Sequence, residues 1–150
     1  MNVGRIASLA AVFAACVSLI TCGKSAPTIS RNPVDPANDP LYKTIHAMPD
    51  DTAKLHRLST YVRDYIADRS CTGVDQCRTM GFGDKVCGGP REYLIFSKAT
   101  VDSAVLRTLV REHFVVDSIC NVKYRLGSDC AIELRPLVDC VDGECARVWK

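Results

Sequence analysis

The sequence carries little net charge and few aromatic residues. Its 19 Lys and Arg are nearly balanced by 17 Asp and Glu, which leaves +2, and Phe, Trp and Tyr together make up 7%. A chain so balanced has no long-range field to draw in nucleic acid, and it lacks interleaved aromatics on which bases stack. There are three histidines, His46, His56 and His113, and they show no metal-ligand spacing. No CxxC pair occurs, so neither a thioredoxin-like redox motif nor the paired knuckles of a zinc ribbon is present. There is no GxSxG nucleophile turn. Gly81-Phe82-Gly83-Asp84-Lys85 looks superficially like a phosphate loop but lacks the full GxxxxGK[ST] pattern. At 150 residues the chain has room for one domain, and 47% hydrophobic residues is too many for generic disorder. No cofactor and no metal site are expected.

Cysteine is the residue in excess, at nine. Its meaning depends on the N-terminus. Arg5 is the only charge before Cys22, and from Ile6 to Thr21 the only polar residues are Ser8, Ser18 and Thr21. A short basic head followed by an apolar stretch predicts an export signal over residues 1–21. The stretch is short for crossing a ~30 Å hydrocarbon core, and no second apolar run follows it. Leu19-Ile20-Thr21-Cys22 resembles the lipobox of bacterial lipoproteins. The resemblance implies cleavage before Cys22 and lipid on that residue. Gly23 supplies no acidic retention signal, which by the same resemblance implies the outer membrane, at its periplasmic face or at the surface. A secreted or periplasmic soluble protein is the alternative.

Residues 22–49 read as a flexible tether. Pro27, Pro33, Pro36, Pro40 and Pro49 fall here, and each removes a backbone donor. An N-terminal arm wrapped on the domain around Leu41, Tyr42 and Ile45 is the other reading. The folded domain is expected over 50–150. A helix over 50–68, capped by Asp50 or Asp51, carries an apolar stripe of Leu55, Leu58, Val62, Tyr65 and Ile66. Residues 70–90 contain three cysteines and five glycines and read as an irregular cross-linked loop. Tyr93 to Phe96 predicts a short strand. Thr100 offers a cap to a second helix, with Asp102 in its first turn. Its apolar side holds Val101, Val105, Leu106, Leu109, Val110, His113 and Phe114. Strands are expected over 118–126 and 131–141, and Asp142-Gly143 is a hairpin turn leading to a return strand. The expected fold class is α+β: two amphipathic helices packed on a small antiparallel sheet, stapled by disulfides.

Seven cysteines lie in this region: Cys71, Cys77, Cys87, Cys120, Cys130, Cys140 and Cys145. Export places them in an oxidising compartment, where bridges stabilise small domains. Three bridges leave one thiol over, and sequence does not fix the connectivity. Cys140–Cys145 across the hairpin is the favoured local pair. Cys71–Cys87 or Cys77–Cys87, and Cys120–Cys130, are the other candidates.

The pattern Cys71-x5-Cys77-x9-Cys87-Gly88-Gly89-Pro90-x2-Tyr93-Leu94, with Cys140-x4-Cys145, resembles small, mostly uncharacterised bacterial cell-envelope proteins with a Cys-Gly-Gly-Pro loop. That resemblance implies compartment and fold and supplies no catalytic residue. The expected role is an envelope-tethered protein-binding or structural domain, with an inhibitory form among its variants. It would join the membrane through its lipid and meet an envelope or extracellular protein through the stapled loop. The candidate loop residues are Gly81, Phe82, Gly83, Lys85, Gly88, Gly89 and Pro90. The alternative is a small periplasmic hydrolase, which needs His113 or His56 beside a Ser or Cys and an orienting acid.

Overall fold

The computed structural model describes residues 36–149. The export segment, Cys22 and the tether up to residue 35 lie outside the described residues. From Pro36 onward the expected tether is folded. Asp39 caps α1 (Pro40–His46) by accepting from the Leu41 amide at 2.8 Å, and Pro40 fits the first turn because no donor is needed there. The same Asp39 accepts the Tyr61 hydroxyl at 2.6 Å. Ile45 is buried, while the Tyr42 hydroxyl donates to Glu112 and His46 Nδ1 lies 2.8 Å from that carboxylate. An apolar anchor and a shared acid therefore make 40–46 an arm on the domain, which corrects the 22–49 boundary of the tether.

Asp50 caps α2 (Asp51–Tyr65), accepting from the Ala53 amide at 2.6 Å. Its stripe buries Leu58, Val62 and, just past the helix, Ile66. The irregular loop expected over 70–90 contains a strand. β1 (Cys77–Phe82) pairs antiparallel with β2 (Glu92–Ser97), with Met80 opposite Leu94 and Thr79 opposite Ile95. Asp102, not Thr100, caps α3 (Ser103–Lys123), bonding the amides of Ala104 at 2.7 Å and Val105 at 3.3 Å.

Helix α3 runs through residues expected to begin a strand. The β-formers Ile119 and Val122 suggested a strand, but Val116 and Cys120 continue the buried stripe of Leu106 and Leu109 at helical spacing. Tertiary burial outweighs the weak local propensity. Arg125, at φ 49°, leaves the helix, and the Leu126 amide bonds Asn121 O at 3.0 Å. Only the end of the expected strand over 131–141 is extended: β3 (Leu137–Val141) pairs with β4 (Glu144–Val148). Asp142 and Gly143 both have positive φ, as a two-residue turn of this type requires. Among the described residues, no helix is long and apolar enough to cross a membrane.

The period-2 alternation of the β1–β2 hairpin organises the whole domain. Met80, Phe82, Leu94 and Phe96 face one way, into the core built with the helices. Cys77 and Ile95 face the other way and join Cys71, Cys140, Cys145 and Val138 in a second, smaller cluster. The β3–β4 hairpin covers that far side. It is fixed there by a bridge pairing of Ser70 with Glu144 and by two disulfides, Cys71–Cys140 and Cys77–Cys145. Among the described residues the fold is thus a disulfide-stapled α+β domain with three α-helices and two small antiparallel sheets, where two helices and one sheet were expected.

Three expected bridges are corrected. Cys140 and Cys145 do stand opposite each other in the hairpin, but both point at the neighbouring layer, and each bonds a cysteine of the 71–77 segment. Cys87 bonds Cys130, so neither Cys71–Cys87 nor Cys77–Cys87 forms. Among the described residues Cys120 is the free thiol, buried on α3, and its expected partner Cys130 is bonded to Cys87.

Candidate functional site

The nine residues joining β1 to β2 form a loop fastened at its stem and at its tip. Arg91 supplies the stem clamp. Its guanidinium donates to Asp117 through Nε at 2.9 Å and through Nη2 at 3.1 Å, and Nη2 also donates to Asn121 Oδ1 at 2.7 Å. Asp117 is 2% exposed, and its carboxylate also accepts the Asp84 amide at 2.8 Å. Asn121 Nδ2 donates to Asp84 O at 2.9 Å. Asp117 and Asn121 stand one turn apart on α3, so a single helix face grips both ends of the loop. Charge-assisted bonds of this kind hold geometry well in a buried setting, and the paired carboxylate raises the pKa of Arg91 further above its already high value.

Gly83 permits this clamp. It has φ +79°, and a Cβ there would lie 2.9 Å from Arg91 Cγ, so glycine is needed both for the backbone and for the arginine folded over it. At the tip, a turn is closed by the Gly88 amide to Lys85 O at 2.7 Å and the Lys85 amide to Gly89 O at 3.0 Å. Gly88 and Gly89 have φ of +92° and +84° in open space, so their role is conformational. The Cys87–Cys130 bridge and a bond from Lys85 Nζ to Ala131 O at 2.6 Å tie the tip to the segment before β3.

This architecture sorts the candidate loop residues. Phe82 is buried against the helices and stacks on His113, with ring centroids 4.0 Å apart. Gly81 packs under Pro90, Gly83 lies beneath Arg91, and most of the Lys85 side chain is covered. These residues hold the loop. The exposed part is Val86, Cys87, Gly88 and Gly89, with Pro90 half-buried. Beside it runs an open groove of about 380 Å³ lined by Asp84, Val86, Ser118, Asn121, Val122 and Arg125. The clamp residues Asp84, Arg91, Asp117 and Asn121 were not singled out from sequence. The signal available was His113, Asp117 and Asn121 at four-residue spacing on an apolar helix stripe, visible only if the helix is carried past Phe114.

Among the described residues no histidine is hydrogen-bonded to a Ser or Cys side chain. His113 is buried, and its Nδ1 has no hydrogen-bond partner among the described residues. His46 bonds Glu112, and His56 is exposed. The Cys120 thiol is pushed up in pKa, chiefly by burial and then by the charges of Asp51 and Asp117, so it stays protonated. The sulfurs of Cys71, Cys77 and Cys145 lie within 4.8 Å of one another because the two bridges run side by side, and bridged sulfurs are not thiolate ligands.

Burial lowers the His113 pKa to about 4; Asp117 and Glu92 oppose the shift and Arg63 and Arg91 add to it. The unfolded chain therefore takes up a proton near pH 6.5 that the folded chain refuses until about pH 4. Stability is unaffected by this residue above pH 6.5 and falls as pH drops through that window, by up to about 3 kcal/mol. Urea titrations of the wild type and His113→Leu between pH 7 and 4 check this: the substitution is expected to flatten the acid slope, and equal slopes would refute it.

Fold and site together define a small stapled α+β domain that presents a doubly fastened loop. No protein family, no curated protein and no solved structure matches the chain.

Proposed function

We propose that the chain is exported, anchored by lipid at Cys22, and acts as an envelope-tethered binding domain that meets a protein partner through the loop tip at 86–89. One observation carries this reading. The tip is exposed backbone with a single large apolar side chain, Val86, yet the loop is held by a disulfide at one end and, at the other, by an ion pair whose carboxylate is buried. A loop ordered before binding loses little entropy on binding, which favours affinity over a small contact. The same property would suit inhibition of a protease, which a protease panel tests directly. The lipid anchor rests on the Leu19-Ile20-Thr21-Cys22 pattern, and intact mass measurement with and without reduction reads the cleavage point and any acyl mass.

The binding reading is tested by capture from envelope extracts with the wild type and with Val86→Glu. Val86 is 51% exposed, so the substitution leaves the core alone and thermal unfolding should not move. The expected result is a retained protein that Val86→Glu captures at least tenfold less well, as for a residue at the centre of an interface. If a variant lacking residues 86–89 still folds and keeps every partner, the loop is not the binding surface.

A further inference from the structure

A different surface lies on the outward side of α3. Arg111, Val115, Ile119 and Val122 follow one line along the helix at four- and three-residue spacing, with Phe114 beside them. Phe114, Val115, Ile119 and Val122 are 46%, 49%, 46% and 79% exposed. A contiguous apolar strip left in water on a small domain marks a surface that meets something. The exposed charges that α3 itself contributes have one sign, while Asp51 and Asp84 border its C-terminal end. Between Leu106 and Leu126 the exposed charged side chains are Arg107, Arg111, Lys123 and Arg125. The two acids in that stretch are turned away. Glu112 is held by the arm residues Tyr42 and His46, and Asp117 by Arg91. Lys123 is paired with Asp51, which leaves the three arginines to set the sign of the face.

We propose that this face of α3 docks on an anionic lipid bilayer. The side of a single helix is convex, so it does not enclose a peptide but can lie in the headgroup region with its apolar strip buried. Arginines at both ends of the strip can keep their stems in the apolar layer and their guanidinium groups at the phosphates. Anionic lipid adds attraction for each basic residue near the surface, and this attraction weakens with salt. Val122 and Arg125 also line the groove beside Val86, so the C-terminal end of this face borders the loop tip, whereas Val115 and Ile119 lie outside that groove.

The test is vesicle co-sedimentation of the chain from residue 22 onward carrying Cys22→Ser, so that no acyl group contributes. Vesicles of phosphatidylcholine alone are compared with vesicles containing about one third phosphatidylglycerol. The expected result is binding to the anionic vesicles that weakens at high salt. Ile119→Asp and Phe114→Asp should each lower it at least tenfold with unchanged circular dichroism, and Arg107→Gln and Arg111→Gln about fivefold each. Three results would overturn the proposal: no binding to anionic vesicles, equal binding by Ile119→Asp, or equal binding to both vesicle types. A dimer in light scattering that Ile119→Asp converts to monomer, without vesicle binding, would instead make this face a self-interface.

Discussion

Replacing Cys71, Cys77, Cys140 and Cys145 together with Ala is expected to undock the β3–β4 hairpin and remove most of the stability of the domain. Each bridge closes a long loop, with separations of 69 and 68 residues. With Cys87–Cys130 kept, the first of them shuts a circuit of about 26 residues through 71–87 and 130–140, worth about 3.5 kcal/mol on the chain-entropy argument. Once one bridge is present the second closes only a short circuit, through 71–77 and 140–145, worth about 3 kcal/mol. Losing one pair should therefore cost about 3 kcal/mol and losing both about 6 kcal/mol, against a total of about 5–15 kcal/mol for an ordinary domain. The second cluster explains why docking goes with stability. Apart from the cysteines it holds only Ile95 and Val138, both partly buried, and that is too little apolar surface to seat a hairpin. Urea unfolding of the two single-pair variants and the four-residue variant measures this. A four-residue variant no less stable than either single-pair variant would refute it.

Asp117→Ala is expected to cost about 3 kcal/mol, because a buried carboxylate is removed while its donors stay. The Asp84 amide and two Arg91 N–H groups lose their acceptor. The value sits at the low end for a broken buried pair because the Arg91 side chain is 39% exposed and can turn to water. The effect has a location as well as a size. Amides over 83–91 should exchange faster at the stem, while the tip remains tied through Cys87–Cys130. Asp117→Asn preserves shape and one acceptor and should cost less. Hydrogen exchange with equilibrium unfolding distinguishes these outcomes. A variant within about 1 kcal/mol of wild type, with unchanged loop protection, would show that the clamp is dispensable.

Much of the architecture was legible because it follows from periodicity and local chemistry. The α2 stripe, its Asp50 cap and the Asp142-Gly143 turn are statements about neighbouring residues, and the structure has them in place. The misreadings share a cause. Residues 77–82 looked irregular because Gly81, and the glycines that follow the strand, hid the alternation of Met80 and Phe82. Residues 118–123 looked extended because Ile119 and Val122 are β-formers. Both segments take their state from what they pack against. The disulfides are less legible still. Cys140 and Cys145 are opposite one another, as their positions about the turn suggested, but which face of the hairpin turns inward depends on the layer beneath. The loop was recognisable as a feature, whereas its clamp depends on two α3 residues that sequence places about thirty positions away.

The connectivity also imposes an order in time. Cys71 and Cys77 emerge from the ribosome well before Cys140 and Cys145, and the nearest thiols they meet are each other and Cys87. None of those early pairings is native. If oxidant reaches the chain as it emerges, it closes wrong loops that thiol–disulfide exchange must then reopen. Reaching the native pairing directly requires those first cysteines to stay reduced until the last hairpin has folded. Maturation of so small a domain is therefore governed by when its thiols meet oxidant and by access to an isomerase, more than by how fast its helices and hairpins form.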